Sequence, residues 1–231
     1  MPFHDRTDAG RKLAQALAKY KDQRPIVFAL PRGGIPVAAE VAAALEAPLD
    51  LILVRKIGVP FQPELAMGAV VDGKEPITVR NEDVIRSIGI TKEEFQSICD
   101  RELAEIERRR KRYLGDRPHP EITGAVSIVI DDGIATGATT RAALQAIRMR
   151  KPKLLVLAVP VAPTSTLDEL RHEADDVICL EDYEPFGAIG SFYYDFRQVS
   201  DEEVTEILAR FPAKPAADAA RTAADAARTA A

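Results

Sequence analysis

The stretch Val126-Ser127-Ile128-Val129-Ile130-Asp131-Asp132-Gly133-Ile134-Ala135-Thr136-Gly137-Ala138-Thr139 constrains the fold more than any other part of the chain. Its apolar run lacks the alternation of a half-exposed strand, so it reads as a strand buried on both faces of a helix-covered parallel sheet. Two adjacent carboxylates end the run, and a loop of small residues leads into a helix from Thr139 to about Met149. The first third of the chain repeats the arrangement. Ile26 to Leu30 reads as a buried strand, Pro31-Arg32-Gly33-Gly34-Ile35-Pro36 as a turn, Val37 to Leu45 as an alanine-rich helix, and Leu49 to Val54 as a second strand ending at Arg55-Lys56. Strand, turn, helix and strand at this spacing form a βαβ unit, which makes the strands parallel. A strand over Leu154 to Val161, a helix over Thr164 to Glu173 and a short strand over Val177 to Leu180 continue the series.

These elements predict one α/β domain over residues 1–211, a doubly wound parallel sheet with an inserted helical rim and a C-terminal hood. Asp8 to Tyr20 reads as an opening helix with Leu13, Leu17 and Tyr20 on one face and Asp8 capping its first turn. Residues 57–120 break the pattern. Gly58, Pro60, Pro63, Gly68 and Gly73 suggest a mobile covering loop and a small strand pair, and Thr91 with Glu94 makes a capping box for a long charged helix to about Tyr113. The hood, residues 181–200, concentrates aromatic and glycine residues, and Ser200 with Glu203 opens a last short helix. Residues 212–231 form an alanine-rich tail in which AADAART occurs twice, with nothing to bury a core face.

Composition narrows the function. Of 231 residues, 46% are hydrophobic and 29% charged, which is ordinary globular usage, and the formal charge is -5. An acidic balance argues against a dedicated nucleic-acid binder and leaves room for an anionic ligand in a local basic pocket. The basic run Arg108 to Arg112 sits beside Glu102, Glu105 and Glu107, so it reads as a solvated helix face, with a partner subunit the better alternative to nucleic acid. Cys99 and Cys179 form no framework, His4, His119 and His172 are scattered, no apolar run reaches membrane-span length, and MPFHDRTDAGRK has no signal-peptide core. A reducing, cytoplasmic setting is therefore expected.

The chemistry concentrates at the strand–turn–helix of 128–139. Unpaired N–H groups at a helix start lie at its positive dipole end and attract a phosphate. Gly137 and Ala138 keep side chains away while the backbone curls around an anion, and Thr136 and Thr139 add hydroxyl donors. Asp131 and Asp132 can accept hydrogen bonds from two neighbouring hydroxyls, as on a ribose. Arg32-Gly33-Gly34 and Arg55-Lys56 fall at the carboxyl ends of parallel strands, where ligands bind in open α/β sheets.

The segment VIDDGIATGATT closely resembles the phosphoribosyl pyrophosphate signature of type I phosphoribosyltransferases, and the chain from about Thr7 to Arg210 resembles a bacterial branch of that superfamily with no assigned base. The resemblance implies that Asp131 and Asp132 hold the ribose hydroxyls and help position Mg²⁺, and that Ala135, Thr136, Gly137, Ala138 and Thr139 cradle the 5′-phosphate. It also implies that Arg32, Gly33 and Gly34 bind pyrophosphate, in a loop that in the family often carries a strained peptide bond; Arg55 and Lys56, by their position at a strand end, could neutralise the leaving group. The implied activity is transfer of a ribosyl 5-phosphate group from phosphoribosyl pyrophosphate to a small nitrogenous acceptor, by a protein expected to be a homodimer. In the family the hood holds the acceptor. Phe192 or Tyr193 could stack on it and Asp195 accept from it, although most of these rings read as a plug docking the hood. The 6-oxopurine enzymes carry an acid where this chain has Ala135, which argues against hypoxanthine and guanine as acceptors. Alternatives are a donor-sensing regulator that binds nucleic acid, which the acidic balance disfavours, and a partner domain for a separate hydrolase.

Overall fold

The computed structural model describes residues 2–73 and 76–212. The central parallel strands are apolar on both sides because each serves two cores. β1 (Ile26–Ala29) turns Val27 and Ala29 into one core and Ile26 and Phe28 into the other. β6 (Val126–Ile130) and β7 (Leu154–Pro163) divide in the same way, with Ile128 and Val156 on one side and Val129 and Leu157 on the other. With β2 (Leu49–Leu51) and β8 (Asp176–Tyr183) they form a five-stranded, all-parallel sheet in the order β2-β1-β6-β7-β8.

Helices α1 (Arg6–Leu17), α2 (Gly34–Leu45) and α7 (Asp201–Ala209) cover one face, and α5 (Ala138–Met149) and α6 (Thr164–Leu170) cover the other. The cap of α1 is Asp5, whose carboxylate accepts from the Asp8 amide, so the helix starts two residues earlier than its apolar spacing suggested. Both capping boxes form, at Thr91 with Glu94 and at Ser200 with Glu203.

The insertion departs from the sequence expectation. Leu49 to Val54 is not one strand: β2 ends at Leu51, and Val54 begins β3 (Val54–Val59) of a second, antiparallel sheet with β4 (Gln62–Val71) and β5 (Ile77–Arg80). The region read as a mobile loop is thus largely a β-hairpin, with register irregularities at Gly58 where prolines interrupt the alternation. Helix α3 (Glu82–Ile88) leads into α4 (Lys92–Tyr113), which packs Phe95, Cys99 and Ile106 against the hairpin core. The basic run on α4 is paired: Arg108 and Arg109 with Glu105, Arg110 with Glu107, and Arg112 with Asp201 and Glu202. No helix among the described residues is long and apolar enough to cross a membrane. The alanine-rich tail lies outside the described residues.

Candidate active site

Parallel pairing of β1 with β6 brings the two predicted loops together. The Leu30 amide donates to the Ile130 carbonyl at 2.9 Å, so the turn after β1 and the acids after β6 leave the sheet side by side. Gly33 and Gly34 lie directly on those acids. A β-carbon at 33 would meet the Asp132 carboxylate at 2.0 Å, and one at 34 would meet the Ile130 carbonyl oxygen at 2.8 Å. The glycine pair is therefore required by close approach, since Gly33 itself has an ordinary helical backbone (φ -61°). The Pro31–Arg32 peptide bond is cis. Arg32 reaches back toward α7, with Nη1 3.4 Å from an Asp201 carboxylate oxygen.

On the other side of the acids the chain wraps toward α5. The Ile134 amide donates to the Val161 carbonyl at 2.9 Å, and Thr166 Oγ1 donates to the Ala135 carbonyl at 3.0 Å, which pins the loop from both neighbours. Gly137 adopts φ +71°, the left-handed geometry that delivers the chain into the helix. No side chain caps α5, and Ala135, Thr136, Ala138 and Thr139 are exposed around its positive end. The structure thus presents an uncapped helix start beside two carboxylates and a second glycine turn.

The twin acids differ in their surroundings. Asp132 is buried, and its Oδ2 accepts from Arg6 Nε at 2.7 Å. Asp131 accepts from the Asp132 amide at 2.9 Å. Burial, followed by the charge of Asp132, pushes the Asp131 carboxyl well above the usual carboxylate range. Among the described residues no group of three or more His, Cys, Asp or Glu side chains could enclose a metal ion. Two carboxylates, one of them already paired with Arg6, fit a Mg²⁺ carried largely by ligand oxygens and water rather than a protein cage.

Arg55 and Lys56 are strand residues of the hairpin, opposite Val70 and Ala69, not the end of a parallel strand. Both line a cleft of about 880 Å³ between hairpin and α4 that Thr139, at the α5 start, also borders. The Arg55 guanidinium pairs with the buried Glu102 carboxylate at 2.8 Å from two of its nitrogens. In the hood, Tyr193 is buried, packs at a tilt against Phe3 and stacks on Phe196, and donates its hydroxyl to the Asp132 carbonyl. Phe192 stacks between Tyr183 and Phe186, and Asp195 accepts from the Arg197 amide. Tyr193 is thus a packing residue that braces the acid turn.

Sequence reasoning passed over Arg6. Read along the chain it is one cation near a helix start; its partner lies 126 positions away, and no local pattern points to it.

The fold and the two converging loops define a doubly wound α/β domain with its ligand edge at the carboxyl ends of its parallel strands. A model of the phosphoribosyl transferase domain matches residues 4–197, and the chain belongs to that family. It is 44% identical over 222 residues to Rv0571c of Mycobacterium tuberculosis (strain ATCC 25618 / H37Rv), which is provisionally named a phosphoribosyl transferase. That match covers 94% of this chain and 50% of the relative, so the chain spans about half the length of the curated relatives it matches. The crystal structure of TT1426 from Thermus thermophilus superimposes with a TM-score of 0.82 at 38% identity, covering 92% of this chain and all of that one.

Proposed function

We propose that the protein is a phosphoribosyltransferase that moves the ribosyl 5-phosphate group from phosphoribosyl pyrophosphate to a nitrogenous acceptor. The observation that carries this reading is the close contact of the Gly33–Gly34 turn with the acid turn Asp131–Asp132, beside the uncapped start of α5. Three binding functions are then assigned to these adjoining turns. The backbone from Ala135 to Thr139 takes the 5′-phosphate at the helix dipole, and Thr136 and Thr139 add hydroxyls. Asp131, with the remaining oxygen of Asp132, accepts from the ribose 2- and 3-hydroxyls. Arg32 and the backbone at Gly33 and Gly34 take the pyrophosphate, and Lys56 adds a further cation to neutralise it. In the transfer the bond from ribose C1 to the pyrophosphate oxygen breaks and a bond from C1 to the acceptor nitrogen forms. Pyrophosphate leaves with the bonding electron pair, and the acceptor nitrogen gives up a proton. The protein's part is to hold the donor, disperse the leaving charge and exclude water. A Mg²⁺ ion on the pyrophosphate would supply further charge neutralisation, with Asp131 and Asp132 nearest to position it.

Calorimetric titration with phosphoribosyl pyrophosphate, with and without Mg²⁺, tests the donor site. A pyrophosphate-release screen across nucleobases and small amines then tests transfer. Donor binding that is lost in the Asp131→Asn/Asp132→Asn double variant, together with release driven by one acceptor class, is the expected outcome. Binding without release by any acceptor would replace the enzyme with a donor sensor, and wild-type kinetics in the double variant would remove the assigned site.

A further inference from the structure

The side chain of Arg6 joins three parts of the molecule. Its Nε donates to Asp132 Oδ2 at 2.7 Å, its Nη1 donates to the Arg197 carbonyl at 2.8 Å, and its guanidinium carbon lies 3.9 Å from the centre of the Phe196 ring. The residue is buried, at 9% exposure. Phe196 and Arg197 end a segment that is stitched to the N-terminal arm. The Phe3 amide donates to the Phe192 carbonyl, the Tyr194 amide to the Phe3 carbonyl, and the Asp195 amide to the His4 carbonyl, at 3.2, 3.0 and 2.8 Å. The same oxygen, Oδ2 of Asp132, also faces Gly33 closely enough to forbid a β-carbon there. The Tyr193 hydroxyl holds the Asp132 main-chain carbonyl.

A carboxylate that accepts from neighbouring hydroxyls must hold one rotamer, and isolated aspartates at strand ends do not. Here the rotamer is set by a planar cation whose own orientation comes from an aromatic face and a main-chain carbonyl of the hood. We propose that Arg6 is a positioning residue that couples docking of the hood and N-terminal arm to the orientation of Asp132, so that the donor site is complete only while segment 192–197 is docked. The inference rests on the phosphoribosyl pyrophosphate reading above, because it assigns Asp132 to that donor. A lysine at position 6 would keep the charge but lose the fork and the flat stacking surface, so it should restore only part of the effect.

The test uses the full chain with Arg6→Gln and Arg6→Lys, at a temperature where circular dichroism shows each variant fully folded. Phosphoribosyl pyrophosphate with Mg²⁺ is titrated by calorimetry, and hydrogen exchange is followed across residues 192–197. Loss of a charge-assisted hydrogen bond predicts donor binding about 10- to 100-fold weaker in Arg6→Gln, with Arg6→Lys in between. Exchange over 192–197 should be faster in both variants, and slowed by donor in the wild type alone. A purely architectural arginine would lower stability and leave the affinity of the folded protein unchanged; that result, with wild-type donor binding intact, overturns the inference and spares the function. Absence of donor binding by the wild type fails the function reading first and takes this inference with it. Hood exchange that is the same in the wild type and Arg6→Gln refutes the coupling by itself.

Discussion

The carboxylate of Asp132 lies so close to Gly33 that a β-carbon on residue 33 would sit 2.0 Å from its Oδ2. Two loops separated by about a hundred positions thus share one van der Waals surface, and neither can change shape without moving the other. Gly33→Ala, which costs nothing in backbone conformation at φ -61°, must therefore displace Asp132 from Arg6. We expect a loss of about 1–3 kcal/mol in stability from overpacking and at least a tenfold loss in donor affinity, about 1.4 kcal/mol. Thermal melts and calorimetry on the purified variant read both; unchanged affinity would show that the contact plays no part in the donor site.

Arg55 is engaged by Glu102 inside the insertion. Arg55→Ala should act mainly on stability, at about 1–3 kcal/mol, because it leaves a buried carboxylate without its fork partner. Lys56→Ala should act mainly on donor affinity. Urea melts beside pyrophosphate-release kinetics separate the two, and an Arg55→Ala variant that is stable yet weak in donor binding would reverse this division of labour.

Removal of the Tyr193 hydroxyl leaves the Asp132 carbonyl without that donor in a buried site. Tyr193→Phe should cost about 1–2 kcal/mol in stability and leave the acceptor KM unchanged once an acceptor is known. A changed acceptor KM would return this ring to the acceptor site.

His119 lies between two buried acids, with Nδ1 2.9 Å from Asp50 and Nε2 3.4 Å from Asp72. The hydrogen bond to Asp50, then the nearby Asp72 carboxylate, raises its pKa from 6.5 to about 9, against the opposing effect of burial. Arg117 and Arg150 lie within electrostatic reach of the Asp50 side chain. A raised folded-state pKa gives stability that is fully present below about pH 6.5 and lost as pH rises through about 9. Allowing for the solvent that still reaches the ring, the contribution is on the order of 2 kcal/mol. The wild-type Tm should fall across that window while the His119→Gln variant stays flat; parallel profiles would contradict the assignment.

The mostly apolar runs at Ile26 to Leu30 and Val126 to Ile130 read as strands covered on both faces, and the βαβ spacing made them parallel. The strand–turn–helix at 128–139 was legible for a related reason: the small residues that turn the backbone into α5 are adjacent in the chain. The insertion was harder. Gly58, Pro60 and Pro63 look like loop residues in isolation, and they fit a hairpin because β4 spans Gln62–Val71 and pairs on its far edge with β5. That Glu102, on α4, reaches Arg55 could not be read from the sequence, since 47 positions separate the two. Helix α3 was missed, being two turns long with a single buried position at Ile85.

Local chemistry along the chain thus determined the strand order's raw material, the capping boxes and the anion-ready helix start, since each depends on neighbours a few residues apart. Only the tertiary structure decided which carboxylate is clamped, that Gly33 must be bare, and that Arg6 reaches the acid turn. Those facts depend on side chains brought together by sheet pairing between distant parts of the chain, and contacts at that separation leave no periodicity to read.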